Sequence, residues 1–280
     1  MHIESFAYAL FGLIIGSFLN VCIYRIPLGK SIVFPGSSCT HCASPIRFYD
    51  NIPVLSFLLL RGKCRSCGNP ISFQYPLVEL LTALAFYFCA RVWQFASPTF
   101  VNTLFLSIII ILVFTDYNHR ILPNKLTLPG IVVGILLSPF QAHGVYTDVF
   151  SLPLRVNSLL GLGDIPSLLP WTGSLLGVIV GGGPLFLVAL AYETIRRRQG
   201  LGMGDIKMMA MVGAFTGWQL ALLTIFAGSL MGTIVGVFLM ISRKMNMQGK
   251  LPFGVFLGAG SALSLFYGQA FLHWYLRIPQ

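Results

Sequence analysis

Acidic side chains are scarce in this chain, with 8 Asp and Glu among 280 residues, and residues of either charge make up only 9%. A water-soluble globule of this size ordinarily carries about a quarter of its residues as charges, so a soluble fold is excluded. Three further absences narrow the reading. No basic stretch precedes the first apolar run and no small-residue cleavage site follows it; Arg25 does, as at a retained helix end, so the run is not a secretory signal. No stripe of basic residues is interleaved with aromatics, so the net charge of +10 is not a nucleic-acid footprint. No inverted repeat is visible, which argues against a transporter built around intramembrane carboxylates.

What the chain has instead is apolar length: 56% hydrophobic residues and a mean hydropathy of +0.81. Crossing the hydrocarbon takes about 20 residues of helix. Such runs fall near 5–24, 76–95, 99–115, 126–142, 172–192, 206–217, 219–241 and 253–276, the sixth of them short. The expectation is an all-α polytopic membrane protein with about eight transmembrane helices. Of the 18 basic residues, all but Arg91, Arg155 and Arg277 fall in the loops 25–75, 116–125, 193–207 and 242–252. Lysine and arginine are retained on the cytoplasmic side, so these loops are placed inside and the amino terminus outside, with anionic lipid head groups as neighbours.

The long first loop carries Cys39-Thr40-His41-Cys42 and Cys64-Arg65-Ser66-Cys67, two CxxC pairs with 21 residues between them. Four thiolates at that spacing suit a tetrahedral zinc site, and the metal replaces a core that about 50 residues can hardly build alone. The competing reading is disulfide pairing, which a cytoplasmic location opposes. No thioredoxin-like strand-helix-strand pattern surrounds either pair, so redox activity is not supported. Cys22 and Cys89 sit alone in apolar runs and read as small core residues.

Gly200-Leu201-Gly202-Met203-Gly204-Asp205-Ile206-Lys207 puts a carboxylate on a glycine-rich turn before a renewed apolar run. Taken alone it is either a turn presenting Asp205 to an extended substrate or a loose loop whose Asp caps the next helix. Asp116 helps to decide. It ends the third apolar run, and two crossings separate it from Asp205, so both acids emerge at one face of the membrane. Like charges held close cannot both ionise; the ionised carboxyl can activate a water while the protonated one hydrogen-bonds a scissile carbonyl. A second GxGD pattern, Gly161-Leu162-Gly163-Asp164, lies an odd number of crossings from Asp116 and is assigned to the outer side. Glu79, just inside the second run, is either a functional intramembrane acid or one that reaches the head groups near a helix start. Asn20, among the small residues of the first run, is open to either helix packing or a direct role.

The ordered set Gly16-to-Arg25 (GSFLNVCIYR), the paired CxxC motifs, Tyr49-Asp50-Asn51-Ile52-Pro53, Tyr75-Pro76-Leu77-Val78-Glu79, Asp116 with Leu122-Pro123-Asn124, Gly202-to-Lys207 and Pro252-Phe253-Gly254 resembles the bacterial prepilin peptidases. These are GxGD-type aspartic proteases of the inner membrane. The resemblance covers nearly the whole chain except the outer insertion around 143–170. It implies removal of the basic leader of type IV prepilins or type II secretion pseudopilins, followed by methylation of the new amino terminus with S-adenosylmethionine. It places the catalytic aspartates at Asp116 and Asp205 and the zinc ligands at Cys39, Cys42, Cys64 and Cys67. It divides the chain into a first transmembrane helix, 1–24, a cytoplasmic four-cysteine zinc-binding domain associated with methyl transfer, 25–75, and a transmembrane peptidase domain, 76–280. Gly62 and Asp50 are its candidates for binding the methyl donor, with Asp50 standing where many relatives have Glu. No soluble-type GxGxG cofactor loop supports that binding independently, so a protease lacking methyl transfer is the alternative.

Overall fold

The computed structural model describes residues 2–141, 169–197, 200, 202–242 and 251–276. Its elements are helical: α1 His2–Arg25, the short α2 Leu55–Leu59, α3 Gln74–Trp93, α4 Ser97–His119, α5 Asn124–Gln141, α6 Leu169–Arg196, α7 Met203–Ile241 and α8 Phe253–Leu276. A single 3-10 turn, Phe48–Asn51, precedes α2. Among the described residues six helices, namely α1, α3, α4, α6, α7 and α8, are long and apolar enough to cross a membrane. This is a polytopic membrane protein. All eight apolar runs read from the sequence are helical; the sixth and seventh are the two halves of α7, which breaks at Gly217, where the reading divides them.

The chain divides into two compact units, Met1–Thr115 and Asp116–Gln280. In the first, α1 lies on α3. Gly12 and Gly16 make this possible, since a Cβ on Gly16 would stand 2.6 Å from the Glu79 Cα and one on Gly12 2.9 Å from the Ala83 Cα. Tyr8 Oη meets Thr103 Oγ1 at 3.2 Å.

In the second unit α7 is the centre. Straight, its 39 residues would reach roughly 58 Å. It breaks instead at Gly217, where φ is 79° and ψ 171°, a conformation closed to residues with a Cβ. The second half returns antiparallel to α8: Gly228 packs against Leu257, and Gly236, farther along α7, against Leu251, just before α8 begins. The break frees helix carbonyls that hydrocarbon cannot satisfy. Ser174 Oγ donates to the Ala214 carbonyl at 2.7 Å and Gln141 Nε2 to that of Phe215 at 3.4 Å. The first half is gripped by α6 at closest range through Gly177 and Gly213, where a Cβ on either would overlap the other's carbonyl. Gly134 of α5 packs against Ala214 and Phe215. Glycine contacts therefore hold the segment that carries Asp205 from two sides.

Candidate active site and metal centre

Four helix ends meet in the second unit. Asp116 lies in the last turn of α4 and is 6% exposed; Asp205 lies in the first turn of α7 and is half-buried. The Asp116 carboxylate is close enough for its charge to act on Asp205, and the Arg120 guanidinium acts on Asp116. Leu122, buried between α4 and α5, fills the space between the motifs: a Cβ on Gly204 would stand 2.9 Å from the Leu122 Cβ, and one on Gly254 3.3 Å from its Cδ1. Gly254 also touches Asp116, since its Cβ would lie 2.8 Å from Oδ2. The Pro252-Phe253-Gly254 and Gly202-Met203-Gly204-Asp205 motifs thus need glycine because a carboxylate and a leucine occupy the volume of a side chain.

The electrostatics follow from helix geometry. The amides of Gly254 and Val255 face the Asp116 carboxylate from the amino terminus of α8, where backbone N–H groups have no helical acceptor. Even so, Asp116 Oδ2 is buried and closes no hydrogen bond of normal geometry. The Gly202 carbonyl accepts from the Asp205 amide at 3.1 Å, making the tight turn that starts α7. Lys207 Nζ donates to Asn124 Oδ1 at 2.9 Å, which ties the Leu122-Pro123-Asn124 motif to the helix bearing Asp205. The second GxGD pattern, with Asp164, lies outside the described residues.

In the first unit the four cysteine sulfurs of Cys39, Cys42, Cys64 and Cys67 all lie within 4.8 Å of one another, and none is in a disulfide. Cys39 Sγ and Cys67 Sγ are 3.9 Å apart. A tetrahedron with Zn–S bonds of about 2.3 Å has edges of about 3.8 Å, so the donor set fits a four-coordinate metal ion. The four thiols share their protons: hydrogen bonding with the Ser44 hydroxyl and then its backbone brings Cys42 down to about 6, while burial and the neighbouring cysteines push Cys67 up to about 11.

The loop folds twice over on one plan. Cys39 N–H donates to Ser44 O and Ala43 N–H to Cys39 O; Cys64 N–H donates to Asn69 O and Gly68 N–H to Cys64 O, all at 2.8–2.9 Å. Both knuckles turn through a left-handed residue, Ala43 at φ 57° and Gly68 at φ 69°. The sequence carries the same repeat, Cys39-x-x-Cys42-x-x-Pro45-Ile46-x-Phe48 and Cys64-x-x-Cys67-x-x-Pro70-Ile71-x-Phe73, a signal that reading the CxxC pairs alone passes over.

Asp50 accepts from Arg65 Nε at 2.9 Å and Nη2 at 2.6 Å, and this guanidinium holds its carboxyl below the usual carboxylate range. Asp50 lines a cleft of about 840 Å3 in the first unit. Gly62, at φ 66°, ends the turn after α2 and accepts from Ile71 N–H at 2.7 Å; it is not among the residues lining that cleft.

Residues 10–95 match the model of the bacterial peptidase A24 N-terminal domain, and residues 103–237 that of the type IV leader peptidase family. A prepilin leader peptidase/N-methyltransferase of Aeromonas hydrophila is 32% identical, over 95% of this chain and 92% of the relative. The chain belongs to this leader peptidase family. The enzyme of the same name from Bacillus subtilis is 32% identical over 96% of both chains, and that of Myxococcus xanthus 36% identical over 82% of this chain and 62% of its own. No solved structure matches. The two family models divide where the helices do, one ending just past α3 and the next starting inside α4.

Proposed function

We propose that this enzyme removes the leader peptide of type IV prepilins or type II secretion pseudopilins at the cytoplasmic face of the bacterial inner membrane and then N-methylates the exposed residue. The observation that carries the proteolytic half is the meeting of Asp116 and Asp205 at helix ends within one unit, with Asp205 within reach of the charge on Asp116. Two like charges so placed share one proton, and the pair titrates as a pair. The ionised carboxylate draws a proton from a water, whose oxygen attacks the scissile carbonyl carbon. The protonated carboxyl donates to that carbonyl oxygen, and on collapse the leaving nitrogen takes up a proton. Asp116, buried against Gly254, supplies a fixed group; Asp205, on its glycine-flanked turn, meets the extended backbone of the substrate.

Cys39, Cys42, Cys64 and Cys67 would hold a structural zinc ion that knits the two knuckles together. S-adenosylmethionine, when bound, supplies a methyl group on a sulfonium. The first unit is its site in this reading, with Asp50 on the cleft wall and Gly62 at the neighbouring turn. Purified protein incubated with a prepilin and S-adenosylmethionine labelled on the methyl group should release the leader and transfer label to the mature chain. Leader release without label would leave a peptidase alone, and no leader release would refute the reading.

A further inference from the structure

The cleft in the first unit ends on acceptors that the peptidase chemistry does not use. Glu79 is 7% exposed and forms part of its wall, as do Asn20, Ser17 and Val54. The approach of α1 to α3 at Gly16 brings Asn20 and Glu79 to the same floor. Asn20 spends its amide hydrogens on Tyr75 O at 3.0 Å and Gly16 O at 3.3 Å, which leaves Oδ1 buried with no partner. A buried acceptor without a donor is costly unless something fills the place.

Glu79 itself is held on purpose. Val54 N–H donates to Oε2 at 2.7 Å, and Val54 achieves this from φ 59°, ψ −48°, a strained conformation for a β-branched residue, at the centre of a tight turn closed by Leu55 N–H and Pro53 O. The turn is braced from both sides. Ser56 Oγ accepts from Ile52 N–H at 3.0 Å and donates to Tyr49 O at 2.8 Å, while Arg65 clamps Asp50. The Asp50-Asn51-Ile52-Pro53 motif therefore delivers one backbone amide to one carboxylate.

Among the described residues no cation pairs with that carboxylate. The ion pair there is Arg65 with Asp50, and the Arg25 guanidinium is spent on the carbonyls of Ser31 and Gly36 at 3.1 Å each. The cleft thus offers a carboxyl group, bonded by the Val54 N–H and also met by the Ser17 side chain, and a free amide oxygen, and the rings of Tyr24, Phe57 and Tyr75 line the same cleft. A primary ammonium group, with three N–H donors and no acceptor, complements it.

We propose that Glu79 and Asn20 bind a primary α-ammonium group in this cleft. On the methyl-transfer reading it is that of the mature chain after leader removal; the methionine end of the methyl donor carries the same group and is the other source. The inference rests on that reading only for the identity of the amine.

The test uses the full-length, zinc-loaded protein in detergent, a short apolar peptide beginning with phenylalanine, its N-acetylated twin, and S-adenosylmethionine. Wild type should bind the free-amine peptide at least about tenfold more tightly than the acetylated one. Glu79→Gln should erase that difference, leave S-adenosylmethionine binding unchanged, and raise KM for the peptide alone in the transfer reaction. If Glu79→Gln instead weakens S-adenosylmethionine binding at least tenfold and wild type ignores acetylation, the ammonium bound is the donor's, and the site stands. Zinc content and melting temperature check the fold of the variant; should it fail, Glu79→Asp, which withdraws the charge by one methylene, should lose the discrimination in part. Equal binding of both peptides by wild type, with donor binding indifferent to Glu79, would overturn the proposal and leave Glu79 a structural clasp. Absence of methyl transfer by wild type would remove the methyltransferase reading without touching this binding result.

Discussion

In the unit ending at Thr115 the buried acid, Glu79, is fixed by a backbone amide at 2.7 Å; in the unit beginning at Asp116 the buried acid has an Oδ2 with no hydrogen bond and a second carboxylate nearby. The first arrangement sets an acceptor in one orientation. The second leaves one open, beside another carboxylate. The two units also assemble differently. The carboxylates of the second are placed by helices touching through glycine, whereas the cysteine loop of the first gathers four sulfurs that could hold a metal ion. Substitutions should therefore damage the units by different routes.

The largest effect should follow Asp116→Asn or Asp205→Asn, each cutting the rate of leader removal by about 10^2–10^4-fold or more in a purified assay while the protein still inserts and folds. Asp164→Asn should cleave at the wild-type rate, and a comparable loss there would move the chemistry to the other GxGD pattern. Next comes the metal. A Cys39→Ser/Cys64→Ser double variant should lose its bound zinc in elemental analysis, and unchanged zinc content would refute the ligand set. Glycine contact in the second unit is expected to matter by about 1–3 kcal/mol: Gly213→Ala should lower thermal stability by that amount, because its Cβ would overlap the Gly177 carbonyl. Stability equal to wild type would mean the helices part at no cost. Smallest, Ala43→Gly should stabilise the cysteine loop by at most about 1 kcal/mol, since glycine sits at φ 57° without strain, as Gly68 does in the matching knuckle. A loss of stability there would show that the knuckles are not equivalent.

Much of this architecture is legible in one dimension because hydrocarbon imposes its own grammar. Every apolar run read from the sequence is a helix, and the paired CxxC motifs lie together as their spacing implies. The division between the sixth and seventh runs falls where the sequence places it, but the sequence does not show its form, because Gly217 resembles any other glycine in an apolar stretch; only its φ of 79° marks it as the break. Glu79 was visible as an intramembrane acid, but its partner was not. That contact joins residues 25 apart through a valine in a backbone conformation valine seldom adopts, which no pattern of residue types encodes. Leu122 likewise has no role that the sequence shows, since its place between Gly204 and Gly254 depends on helix ends meeting in space.

The most direct test of the account is whether Asp116 and Asp205 stand side by side at one membrane face. In an Asp116→Cys/Asp205→Cys variant, compared with the parent to discount its own cysteines, the account predicts that a short thiol cross-linker joins the two positions and that both react with a membrane-impermeant maleimide from the cytoplasmic side. Labelling from opposite sides, or no cross-link between positions that both react, would contradict it.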